Sequence, residues 1–159
     1  MTIDTTDTAV HATTVVNAPP QRAFEVFTSE IGTWWPPEHH ILRAELAEMV
    51  FEPRAGGHVI DRGVDGSECR WARVLAYEPP SRVVISWDIN LQWEIEQDPA
   101  RTSEIEISFV AEEQGRTRVT LEHRHLDRHG DGWEQMRAAV GAPDGWSGGL
   151  ERFAAQAAA

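Results

Sequence analysis

The chain of 159 residues contains no lysine, so all fourteen of its basic residues are arginine. Without a lysine amine there is no Schiff-base chemistry, no attachment point for pyridoxal phosphate and no phosphate-binding loop of the P-loop type. A single cysteine, Cys69, excludes an internal disulfide and a thiolate metal cluster, and is expected as a small residue packed in a strand. A single tyrosine, Tyr77, leaves one phenol for proton transfer. No apolar run approaches the ~20 residues of a membrane span, and MTIDTTDTAVHATT has neither the basic start nor the apolar core of a signal peptide. The expected compartment is the cytoplasm. Positive charge is scarce, with 14 basic against 26 acidic residues and a net charge of −12, which disfavours nucleic acid and anionic membrane surfaces as partners.

What remains is a hydrophobic content of 41%, seven tryptophans, and length enough for one domain with a real core. Residues 1–8 are polar and read as a frayed tail, leaving 9–159 as a single domain. Val10 to Asn17 is a β-branched run that stops at Ala18-Pro19-Pro20, where proline suits the first turn of a helix. Phe24, Phe27, Ile31 and Trp34 then recur at spacings of three, four and three, a single apolar face that Gly32 divides into two short helices.

Strands follow, read from alternation. Ala47, Met49 and Phe51 share one face; His58 to Gly63 precede the Asp65-Gly66 hairpin signal. Between Cys69 and Tyr77 both parities carry apolar residues, and no face is assigned. Val83, Ile85, Trp87 and Ile89 alternate with Ser86, Asp88 and Asn90, and the odd parity persists through Leu91, Trp93 and Ile95, as one long strand or a bend into a loop. Ile105, Ile107 and Phe109 face inward, and Glu104 and Glu106 face water. The last strand runs from Thr117 to His125, with Val119, Leu121, His123 and His125 on one face.

The final segment, Asp131 to Gln156, carries two apolar stripes: Trp133, Met136, Val140 and then Trp146, Leu150, Phe153. On one straight helix they would lie roughly 100° apart around the axis. The helix therefore breaks between Gly141 and Asp144, where Pro143 forbids a smooth continuation. Asp131, with Glu134 three residues on, has the pattern of a capping box. Hairpin-length connections make an antiparallel sheet, and a curved sheet gripped by a helix closes around a space.

This order, with Ala18-Pro19-Pro20, Trp34-Trp35-Pro36, Glu52 to Gly57, Glu78 to Arg82 and Gly145-Trp146 followed by Leu150 to Phe153, resembles the START-like (Bet v 1-like, SRPBCC) superfamily. Within it the chain looks most like the bacterial branch related to the C-terminal domain of the activator of heat shock protein 90 ATPase. The resemblance implies an α+β helix-grip fold, a curved antiparallel sheet of about seven strands around a C-terminal helix. It also implies a cavity between sheet and helix that takes apolar small molecules, and places the loop carrying His39 and His40 at its mouth.

The expected cavity residues are Trp35, Trp87 and Trp146, whose indoles can stack on an aromatic ligand, with Phe51, Phe109 and Leu150 on the inward faces. His39 is expected at the entrance, and His123 and His125 as polar anchors inside. The double glycine Gly148-Gly149 beside Trp146 leaves room for a ligand or for close helix-to-sheet approach. No metal and no cofactor is expected, because no spacing compels a third ligand beside the two histidines. The function expected first is non-catalytic binding of a small hydrophobic or aromatic ligand. The alternatives are a cyclase, hydrolase or dehydratase using His123 or His125 as general base, and a chaperone-activator-like interaction module. A homodimer through a sheet edge or helix is compatible with the pattern.

Overall fold

A computed structural model describes residues 7–36 and 38–158. The expected tail falls mostly outside this range; its last two residues are held, since Thr8 O accepts from Leu126 N at 3.0 Å and Asp7 O from Arg137 Nη1 at 2.6 Å.

Strand β1 (Val10–Val16) leads into helix α1 (Pro20–Phe27), and β2 (Leu46–Phe51), β3 (His58–Gly63), β4 (Glu68–Glu78), β5 (Arg82–Trp87), β6 (Ser103–Ala111) and β7 (Thr117–Arg124) follow. Helices α2 (Trp133–Val140) and α3 (Gly148–Ala158) end the chain. The seven strands form one sheet in the order β1-β7-β6-β5-β4-β3-β2, every neighbouring pair antiparallel. The helix-grip architecture expected from the sequence is thus present, an α+β meander with β1 returned to its far edge.

Strand β4 explains its own ambiguous alternation. Its pairing slips once between Arg70 and Ala72 against β3, and again between Val74 and Ala76 against β5. Each bulge inserts one residue and reverses the parity beyond it. Hence Trp71 and Ala72 are buried side by side, while Leu75 turns outward. Strand β5 ends at Trp87, and the odd parity beyond it belongs to a loop closed by an Ile89–Ile95 bridge rather than to a longer strand.

The interior is filled unevenly. At one end Phe27 stands 5.3 Å from Phe153, 5.0 Å from Trp34 and 5.9 Å from Phe109, so the α1 face, α3 and β6 interlock through aromatic edges. Phe51, Phe109 and Leu150 belong to this packed core. The outer face carries ion pairs in place of water-facing carboxylates alone: Glu106 accepts from Arg82 Nε at 2.7 Å and also from Arg124. Those hydrogen bonds, Arg82 first, hold the Glu106 carboxyl below its usual range.

The C-terminal segment breaks where expected. Helix α2 ends at Val140, one wide π-type turn spans Pro143–Ser147, and α3 starts at Gly148. At Gly145 the chain folds back against the carbonyl of Val140 so closely that a Cβ would overlap it. The expected Asp131 cap does not form. Gly132, in the left-handed region with φ 93°, precedes α2, and no side chain caps it. A capping side chain needs an extended cap residue, which this left-handed turn does not supply.

Candidate functional site

Next to the Phe27 cluster, with Trp34 shared between the two, the sheet and the α2–α3 junction stand apart and leave a half-open cavity of about 630 Å³. That volume lies within the ~300–1,000 Å³ of small-molecule pockets. Its walls are Trp34, Trp35, Trp87, Ile89, Val140, Trp146 and Gly149, and its rim carries Glu38, His39, His40, Trp93 and Asp144. Five of the chain's seven tryptophans therefore border one space.

Four indoles pack against one another in a closed ring beside this space. Centroids lie 5.1 Å apart for Trp35–Trp71, 5.8 Å for Trp71–Trp87, 6.0 Å for Trp87–Trp146 and 5.7 Å for Trp146–Trp35. Three of their N–H groups have fixed acceptors: Trp35 Nε1 donates to His39 O at 2.7 Å, Trp71 Nε1 to Asp61 Oδ1 at 3.1 Å and Trp146 Nε1 to His123 Nδ1 at 3.0 Å. The fourth, Trp87 Nε1, is buried with no partner among the described residues, and so is His40 Nδ1. Unpaired buried donors are uncommon enough to ask for a cause.

Asp61 is 1% exposed, and burial first of all raises the pKa of its carboxyl above the ordinary value, against the hydrogen bond from Trp71. Burial, with the nearby Asp61 charge, also pushes the Cys69 thiol up to about 11, so that this thiol is unreactive at neutral pH.

His123 is fully buried behind Trp146, not on the cavity surface. Both of its nitrogens are engaged, Nδ1 by Trp146 and Nε2 by Ser103 Oγ at 2.7 Å. Burial, and secondly the neighbouring His129, lowers its pKa from 6.5 to about 3. A ring with no free nitrogen and so weak a basicity is not poised as a general base. His125 does not share its face. It takes a left-handed conformation, φ 60°, immediately after β7 and opens a 3-10 turn over Leu126–His129. The strand parity that placed the two histidines together ends at Arg124.

Of the residues expected at the site, Trp35, His39, Trp87 and Trp146 border the cavity. Phe51, Phe109, Leu150, His123 and His125 do not: the first three are buried in the core away from the lining, Phe109 against Phe24 and Phe27, and the histidines lie behind or beyond the wall. Gly149 does border it, and a Cβ there would meet only Trp34, at 3.9 Å. Trp34, Ile89, Trp93 and Val140 are lining residues that strand and helix patterns did not single out for the site. Ser103 and His129 were likewise unmarked; Ser103 continues the inward parity of Ile105 and Ile107, and a polar residue at the buried end of that row was the available signal.

A family model described as Activator of Hsp90 ATPase homolog 1-like protein matches residues 17–158. The chain belongs to this family. Its fold is accordingly that of the START-like superfamily. Among solved structures, the chain is 41% identical to an anthrahydroquino-gamma-pyrone synthase, Txn09, solved in complex with a ligand designated SUM, over 93% of this chain and 96% of that one, with a TM-score of 0.66. It is 26% identical to CalC, a self-sacrificing resistance protein from Micromonospora echinospora, over 95% and 94% of the two chains, TM-score 0.61. Protein NE0264 from Nitrosomonas europaea, 15% identical over 99% and 97% with a TM-score of 0.66, shares the fold. No curated protein matches the chain. Among the described residues no helix is long and apolar enough to cross a membrane.

Proposed function

We propose that this family member binds a planar polycyclic aromatic molecule, of the polyketide-derived quinone class, in the cavity between β5, the loop after α1 and the α2–α3 junction. The observation that carries this reading is the ring of Trp35, Trp71, Trp87 and Trp146 with a 630 Å³ space beside it. Flat indole faces offer large stacking area at little cost in side-chain entropy. Trp87 Nε1 and His40 Nδ1, both unpartnered, give carbonyl or hydroxyl groups of such a ligand something to bond. The charge pattern selects against a fatty acid. The titratable rim residues are Glu38, His39, His40 and Asp144, with no arginine among the described lining to pair a carboxylate.

A second reading, favoured by the 41% identity to a synthase, is that the bound molecule undergoes ring closure in the cavity. Close walls can accelerate an intramolecular closure by holding the reacting oxygen against its carbon, without a strong base. His39 and His40 are then the groups placed to move a proton at the mouth, and His123 is not.

The test is a titration of intrinsic tryptophan fluorescence with 1,8-dihydroxyanthraquinone and, separately, with palmitate. Saturable quenching at one site by the quinone and none by palmitate is the expected result. Equal responses to both, or no saturation by the quinone, would remove the basis for the reading.

A further inference from the structure

Trp146 ends a buried hydrogen-bond chain that crosses the fold. Its Nε1 donates to His123 Nδ1 at 3.0 Å, His123 Nε2 lies 2.7 Å from Ser103 Oγ, and Ser103 Oγ lies 2.8 Å from His129 Nε2. The four side chains belong to residues no more than 6% exposed, drawn from the π-type turn, β7, β6 and the turn after β7.

The proton positions follow from chemistry. An indole N–H only donates, so His123 Nδ1 must be the acceptor. A neutral imidazole with its lone pair on Nδ1 carries its proton on Nε2, and that N–H donates to Ser103 Oγ. The Ser103 hydroxyl has no other acceptor among the described residues, so its proton is directed at His129 Nε2, which leaves the His129 proton on Nδ1. That Nδ1 is buried and has no acceptor among the described residues. The chain therefore has one direction. Reversing it would set a proton on His123 Nδ1 facing the indole N–H.

We propose that Ser103, His123 and His129 are positioning residues for Trp146, a directional relay that fixes the indole forming the cavity wall. The backbone under Trp146 explains the need. Gly145 departs from helical angles, at φ −83° and ψ −130°, so Trp146 stands on an interrupted ladder rather than a regular helix. Its ring packs edge to face on Trp35 and Trp87 at 5.7 and 6.0 Å, and the bond from its Nε1 to His123 adds a directional constraint to that packing. The proposal rests on reading the cavity as a ligand site, and the relay itself is measurable without ligand.

Long-range 1H–15N correlation spectra of the ligand-free protein at neutral pH should show His123 protonated on Nε2 alone and His129 on Nδ1 alone. The same tautomer in both rings, or a charged ring in either, would overturn the relay. In Ser103→Ala the Trp146 indole resonance, assigned by its loss in Trp146→Phe, should shift, and affinity for 1,8-dihydroxyanthraquinone should fall roughly tenfold, about the worth of one hydrogen bond. Ser103→Thr, which restores the hydroxyl, should recover both. An unmoved indole resonance with unchanged affinity in Ser103→Ala also overturns the proposal. If Ser103→Ala does not fold, the wild-type tautomers decide. Opposite tautomers in a protein that binds no quinone would instead refute the ligand reading while leaving the relay in place.

Discussion

Acidification should destabilise this protein through His123 before most of its carboxylates titrate. The imidazole is fully buried with a pKa lowered from 6.5 to about 3. An unfolded chain takes up a proton on this ring below pH 6.5, and the folded chain does not until near pH 3. Stability that is complete above pH 6.5 is therefore lost as the pH falls, at about 1.4 kcal/mol per pH unit. By pH 5 the loss from this one ring is roughly 2 kcal/mol, a large share of the ~5–15 kcal/mol that holds a typical domain. The comparison protein is His123→Gln, whose amide can still accept from Trp146 and donate to Ser103 but does not titrate. Urea unfolding of both at pH 7, 6 and 5 gives the difference in stability, from which the carboxylates common to both cancel. The wild type should lose about 2 kcal/mol more than the variant over that range. Parallel loss in the two proteins would refute the assignment of His123 as a buried neutral ring.

Gly149→Ala separates stability from binding. The added Cβ meets only Trp34 at 3.9 Å, and alanine favours a helix by up to about 1 kcal/mol over glycine, so the melting temperature should rise while quinone affinity, by titration calorimetry, falls. Cys69, with its thiol pushed up to about 11, should react slowly with iodoacetamide at pH 8. Asp61→Asn, which removes one of the two causes, should speed that alkylation in the folded protein; an unchanged rate would place the whole effect in burial.

Much of the architecture was legible because alternation and helical spacing are local. The break before Pro143 followed from two stripes that no straight helix can align, and the structure breaks there. The capping box at Asp131 failed because a left-handed Gly132 intervenes, a backbone choice that residue spacing does not encode. The site was less legible. Parity identifies an inward side chain but not whether the space before it is filled, which is why Phe51, Phe109 and Leu150 looked equivalent to Trp87. His125 shared a parity with His123 on paper, and a single residue at φ 60° ended the strand between them. The relay joins positions 20 to 26 residues apart, Ser103 with His123 and His129, and nothing in local pattern connects them.

The most direct measurement of the central claim is the set of indole N–H resonances in a 15N spectrum during titration with 1,8-dihydroxyanthraquinone. The cross-peaks of Trp35, Trp87 and Trp146, which border the cavity, should move together and saturate. Trp133, which lies outside it beneath the Arg137 guanidinium, 4.8 Å from the ring centroid, should stay in place. Saturable movement of Trp133 with the cavity indoles stationary would place the ligand elsewhere and contradict the account.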